Sequence, residues 1–91
     1  MSPRDSYEAM AQSGFAEVQS HLSAMAASVK NALAAGRADA ERLLLAAQSK
    51  HDEALHRLEL LKRASEGSWH SVKNTFETSW TELRHALGLK A

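Results

Sequence analysis

The densest chemical cluster in this 91-residue chain is His51-Asp52-Glu53-Ala54-Leu55-His56. It resembles the helical zinc signature His-Glu-x-x-His, in which two imidazoles one turn apart converge on a metal and the Glu acts as base. The spacing does not fit. The two imidazoles here are five positions apart, so on a helix they diverge by about 140° and cannot share an ion. Asp52 and His56 form an i,i+4 pair that could hold an adventitious metal, and a surface ion pair is the plainer reading. His51 falls on an apolar seam, where a titrating imidazole would respond to pH. A pH- or metal-responsive helix through His51 and His56 is therefore a third-ranked reading.

The other reactive residue types are scattered. His21, His70 and His85 share no cluster, and none of the 11 serines lies in a nucleophile elbow. No Gly-rich phosphate loop is present, and Asp and Glu are spread as helix-surface residues. The absence of cysteine removes disulfides, thiolate nucleophiles and zinc–thiolate sites together. No catalytic residue, no metal ligand and no cofactor site is predicted, and an enzyme is not expected.

Charge and composition narrow the partners. Eleven Lys and Arg balance 11 Asp and Glu, for a formal net charge of zero. That argues against a bulk basic footprint for nucleic acid, and the aromatics are not interleaved with Arg and Lys. Alanine supplies 17 of the hydrophobic residues, beside 12 Leu, 3 Val and no Ile. Alanine favours helix and contributes little apolar area, while β-branched residues are scarce. No apolar run reaches the roughly 18 residues of a membrane span, and no apolar stretch of a secretory signal follows Arg4, Asp5 and Glu8. The expected location is cytoplasmic.

These residues must sit on helices. Ser2 is a suitable N-cap before Pro3, and Asp5 and Glu8 favour the positive end of a helix dipole. Apolar residues then recur as Tyr7, Ala11, Phe15, Val18, Leu22, Ala26, Val29 and Leu33, in steps of three and four. At the other end they read Trp69, Val72, Phe76, Trp80, Leu83 and Leu87, an 11-residue repeat that maps Trp69 onto Trp80, Val72 onto Leu83 and Phe76 onto Leu87. These six positions fall within an arc of about 80° at 100° per residue. The middle continues more loosely through Ala40, Leu44, Ala47, His51, Ala54 or Leu55, Leu58, Leu61 and Ser65. No segment alternates with the period of a strand.

Two places could break the helix. Gly36 could close one helix before Asp39 caps the next, and Gly67 could do so before Ser68. The stripe nevertheless keeps phase across both glycines, which favours a continuous helix; a turn at Gly36 would instead give an antiparallel hairpin with arms of similar length. Gly14 carries little weight, and Gly88 before Leu89 marks a C-terminal stop. Residues 1–91 are expected to form one helical domain with breaks near Gly36 and Gly67 as the alternatives. The fold class is all-α: long amphipathic helices forming a coiled-coil hairpin or a helical-bundle oligomer.

Burying six large side chains is worth roughly 2 kcal/mol each, and that gain requires a neighbouring helix from this chain or from another copy. Two Trp and one Phe on one face are too much apolar area to leave wet. The expected interface residues are Trp69, Val72, Phe76, Trp80, Leu83 and Leu87, with Phe15, Val18, Leu22 and Val29 as a second seam and Leu58 and Leu61 between them. Homo-oligomerisation is the expected outcome. A lipid or granule surface is the alternative acceptor, disfavoured because Lys73, Arg84 and Lys90 are balanced by Glu77 and Glu82. The i,i+4 pairs Glu53–Arg57 and Glu59–Arg63 support helix by a few tenths of a kcal/mol each and carry no partner information.

Three stretches carry a family resemblance. Arg4-Asp5-Ser6-Tyr7, Leu58-Glu59-Leu60-Leu61-Lys62-Arg63-Ala64-Ser65, and Trp69-His70-Ser71-Val72-Lys73 with Trp80-Thr81-Glu82-Leu83 resemble the small bacterial stress-response coiled-coil proteins of uncharacterised function. Those proteins end in two Trp-x-x-Leu-Lys-like units, and only this tail is specific. The chain departs from them in its Ala, Ser and His where they are rich in Glu and Lys, and in Gly36. The resemblance implies no catalytic residue and no cofactor, only a link to stress.

Overall fold

The computed structural model describes residues 2–89 and contains three α-helices there: α1 Pro3–Asn31, α2 Ala34–Arg63 and α3 Trp69–Ala86. No strand occurs among the described residues. The helices run up, down and up in a rod of 51 × 20 × 20 Å. At 1.5 Å per residue, the 29 and 30 residues of α1 and α2 span nearly its whole length, whereas the 18 of α3 span little more than half.

The ends form largely as local chemistry dictates. The Ser2 hydroxyl accepts from the Asp5 amide at 3.1 Å, with Pro3 in the first turn. At the far end Gly88 has a φ of +75°, which suits a residue without Cβ. Its amide donates to the His85 carbonyl at 3.0 Å, and the Leu89 amide donates to the Arg84 carbonyl at 2.8 Å. This pair of bonds is a Schellman stop.

Of the two readings, breaks near the glycines or a continuous helix, the fold takes the breaks. The first lies at Ala32-Leu33, three residues before Gly36, which instead sits in the first turn of α2. The Leu33 carbonyl accepts from Gly36 and Arg37 at 2.9 and 3.0 Å. The second spans residues 64–68 and includes Gly67, as the alternative reading allowed. Phase continuity did not require a continuous helix, because every helix of a bundle needs an apolar stripe whether or not the chain reverses between them.

The stripes meet one another within the chain. One cluster joins Val18 and Leu22 of α1, Ala47 and Ala54 of α2 and Leu83 of α3, flanked by Phe15, Met25, Leu44, Trp80, Ala86 and Leu87. A second joins Ala11, Leu58, Leu61 and Phe76, flanked by Tyr7, Phe15, Trp69, Val72 and Trp80. Between Ala54 and Leu55 the fold selects Ala54, which is fully buried, while Leu55 is exposed. The close Cα approaches concentrate between α2 and α3. Small residues permit this: Ala47, Ala54 and the buried Ser79 bring little volume between the backbones. Between α1 and α3 the rings of Phe15, Phe76 and Trp80 fill the gap, with Trp80 at 4.9 Å from Phe15 and 6.0 Å from Phe76, centroid to centroid.

Gly14 has a larger part in this packing than its sequence context suggests. A Cβ built there would stand 2.7 Å from Cζ2 and 2.9 Å from Cη2 of Trp80, so the glycine makes room for the indole.

Candidate functional site

The expected interface residues lie mainly in the bundle's own seams. Val18, Leu22, Leu58, Leu61, Phe76 and Leu83 are buried, and Phe15, Val29, Trp69, Val72, Trp80 and Leu87 are half-buried. The dry company that the stripes of α1 and α3 need is supplied by α2 and by each other. Lys90, weighed above as part of the tail's charge balance, lies outside the described residues.

Among the described residues, α3 does not reach the far end of the α1–α2 hairpin. Ala86 and Leu87, at the end of α3, reach the cluster that Met25 and Leu44 also flank. Beyond them α1 continues to Asn31, and α2 has already run from Ala34. Leu43 precedes Lys50 and Ala54 by seven and eleven residues, so it lies on the same flank of α2. Lower down that flank faces α3: Lys50 Nζ donates to Glu82 Oε2 at 3.1 Å, and Ala54 packs with Leu83. With α3 gone by this level, Leu43 is 60% exposed and Leu33, at the turn, 84% exposed. Leu45 is 65% exposed as well, but it lies on the opposite flank of α2. The groove between α1 and α2 thus continues past the helix that fills it.

The opposite end is closed by a residue that sequence reasoning missed. Arg4 Nη2 donates to the carbonyls of Leu61 and Lys62, each at 3.1 Å, placing a cation on the last turn of α2. The same guanidinium stands 3.6 Å from Glu8, 3.7 Å from Glu66 and 5.9 Å from the Trp69 ring centroid. It ties the start of α1 to the end of α2 and the start of α3. No local pattern reports a contact between residues 57 apart. Arg4→Ala is expected to lower stability by about 1–2 kcal/mol, a charge-assisted bond discounted for partial exposure. Arg4→Lys should recover only part of this loss, because an ammonium is not a planar fork and stacks less well on Trp69. Urea denaturation of the three proteins measures both effects.

The histidine cluster assembles no site. His51 is half-buried, with its ring 5.6 Å from Phe15 and its Nδ1 3.2 Å from Asp52 Oδ1, while His56 is exposed on another face. No group of three or more His, Asp or Glu among the described residues is placed to hold a metal. Lys50, between Glu53 at 3.9 Å and Glu82 at 3.1 Å, has its pKa raised chiefly by the hydrogen bond to Glu82. Among the described residues, no helix is long and apolar enough to cross a membrane.

Fold and surface together define an all-α, up-down-up three-helix bundle with an overhanging two-helix end. The chain matches no family model, no curated protein and no solved structure.

Proposed function

We propose that the protein is a non-enzymatic helical interaction protein that pairs with a second copy of itself through the overhanging end of the α1–α2 hairpin. The observation that carries this reading is the truncated cover of the groove: Leu43 extends the α3-facing flank of α2, yet is 60% exposed. A second copy presents the same open groove, and a two-fold axis lays one hairpin end in the other so that four helices close around both. Charge does not oppose this pairing. Lys30, Arg37 and Arg42 stand near Asp39 and Glu41, and Arg42 already pairs with Asp39 at 3.4 Å. The proposed setting is cytoplasmic, and the proposed stress link is carried by the resemblance at Trp69–Lys73 and Trp80–Leu83.

Light scattering after size exclusion tests the pairing. The wild type is expected at the mass of a dimer. Leu33→Gln with Leu43→Gln is expected at the mass of a monomer with unchanged circular dichroism, while Leu45→Gln stays dimeric. A wild type that is monomeric throughout, or a Leu45→Gln variant that dissociates as readily as the double variant, overturns the proposal. Flotation with anionic vesicles separates the lipid-surface alternative, which predicts co-flotation of the wild type and loss of the dimer.

A further inference from the structure

The groove between α1 and α3 holds a second feature, independent of the hairpin end. It is a cavity of about 280 Å³ lined by Tyr7, Met10, Ala11 and Gly14 of α1 and by Phe76, Glu77, Trp80 and Thr81 of α3. It exists because the rings hold these two helices apart while α2 packs closely against α3. Phe76 and Trp80 form one wall, stacked at 29° with centroids 6.0 Å apart. Tyr7 meets Phe76 nearly at right angles, at 82° and 6.2 Å. The lining is therefore an aromatic corner, and its only charged residue among the described residues is a carboxylate.

That carboxylate, Glu77, has no basic nitrogen within 4.0 Å among the described residues. Lys73 Nζ already lies over the Tyr7 ring, 4.8 Å from its centroid and 5.5 Å from that of Trp69, and Arg4 sits over Trp69. Neither lines the cavity. Burial, with the charge of Glu77 adding to it, pushes the Tyr7 phenol up to about 12. Aromatic faces attract cations, most strongly when the cation has shed its water, and a nearby carboxylate adds a longer-range attraction. A strongly hydrated metal ion finds too few oxygen ligands here, and a neutral apolar molecule makes no use of Glu77. An organic cation with an apolar surface uses both.

We infer that the Tyr7–Phe76–Trp80 corner, with Glu77 at its edge, binds a small organic ammonium ion. Choline is a suitable probe, and 3,3-dimethylbutan-1-ol is its neutral isostere. In two-dimensional NMR titrations, choline should shift the indole N–H of Trp80 more than that of Trp69. Choline should bind about tenfold more tightly than the alcohol, as expected for a ring contact and a carboxylate acting together. Glu77→Gln, an exposed change that leaves the core intact, should erase most of this preference while leaving alcohol binding unchanged. Gly14→Ala, whose Cβ would stand 2.7 Å from Trp80 Cζ2 and so displace the indole, should weaken both ligands. Equal binding of choline and the alcohol, a preference that survives Glu77→Gln, or shifts as large at Trp69 as at Trp80 would each overturn the assignment.

Discussion

Ending the chain at Ala64, so that α3 is missing, is expected to abolish cooperative folding of the remaining hairpin. The 18 residues of α3 cover both clusters. Without them Leu58 and Leu61, now essentially buried, lie open on one flank of α2, and Val18 and Leu22 of α1 lose Leu83. Re-exposing these four side chains and losing the burial of Phe76 and Leu83 removes on the order of 10 kcal/mol of gross stabilisation, at roughly 2 kcal/mol each. A domain of this size has a net stability of about 5–15 kcal/mol, so little or none remains. The overhang cannot compensate, because its residues are at best half-buried between Ala26 and Leu44. Far-UV circular dichroism should therefore fall by much more than the share of helix deleted, and the thermal transition should become broad and weak. A monomeric fragment of residues 1–64 with a sharp melt and full helicity would show that the hairpin folds unaided and that α3 merely docks on it.

The dependence on α3 explains what could be read from the sequence and what could not. The stripes were legible because burial in a bundle repeats with the helical period, so Ala11, Val18, Leu22, Leu58, Leu61, Phe76 and Leu83 announce themselves. The caps at Ser2 and Gly88 were legible because each does a local job: a hydroxyl for an orphan amide, and a positive φ without Cβ. The position of the first turn was not. Ala32 and Leu33 adopt φ,ψ of −71°, 141° and −68°, 155°, extended backbone open to any residue, so no Gly, Pro or Asn is needed there. Gly36 and Gly67 drew attention as punctuation, yet neither has a positive φ. Their role is at most to make helix less favourable nearby. Phase continuity across Gly36 could not decide between turn and helix, since it reflects the needs of each helix separately.

The candidate sites were less legible still. Both depend on the difference in length between α3 and the hairpin, or on the width of one groove, and these are set by tertiary packing. Leu33 lies on the α1 stripe by period, but period does not reveal that the helix ends two residues earlier and leaves it 84% exposed. Ser79 is hidden for the opposite reason. It reads as a polar surface residue and is buried because α2 and α3 approach closely there. Arg4, Gly14 and Glu77 matter through residues more than 50 positions away, or through the absence of a partner, and sequence spacing encodes neither.

Leu83→Ala is expected to be among the most damaging truncations in the core, near the upper end of the roughly 2–5 kcal/mol typical of buried leucines. The spread within that range depends on whether neighbours can move into the vacated space. Leu83 is fully buried against Val18 and Leu22 on one side and Ala47 and Ala54 on the other. The two alanines have no side chain to extend, and the backbones of α2 and α3 are already close, so α2 cannot supply the missing volume. Leu60→Ala is the control, because Leu60 is 38% exposed and solvent replaces what is removed; its loss should stay below about 1 kcal/mol. Urea denaturation followed by circular dichroism reads both values, with an unchanged slope confirming that the unfolded states are comparable. If Leu83→Ala costs no more than Leu60→Ala, the space beside Ala47 and Ala54 closes easily. The close packing of α2 on α3 would then not be what holds the third helix in place.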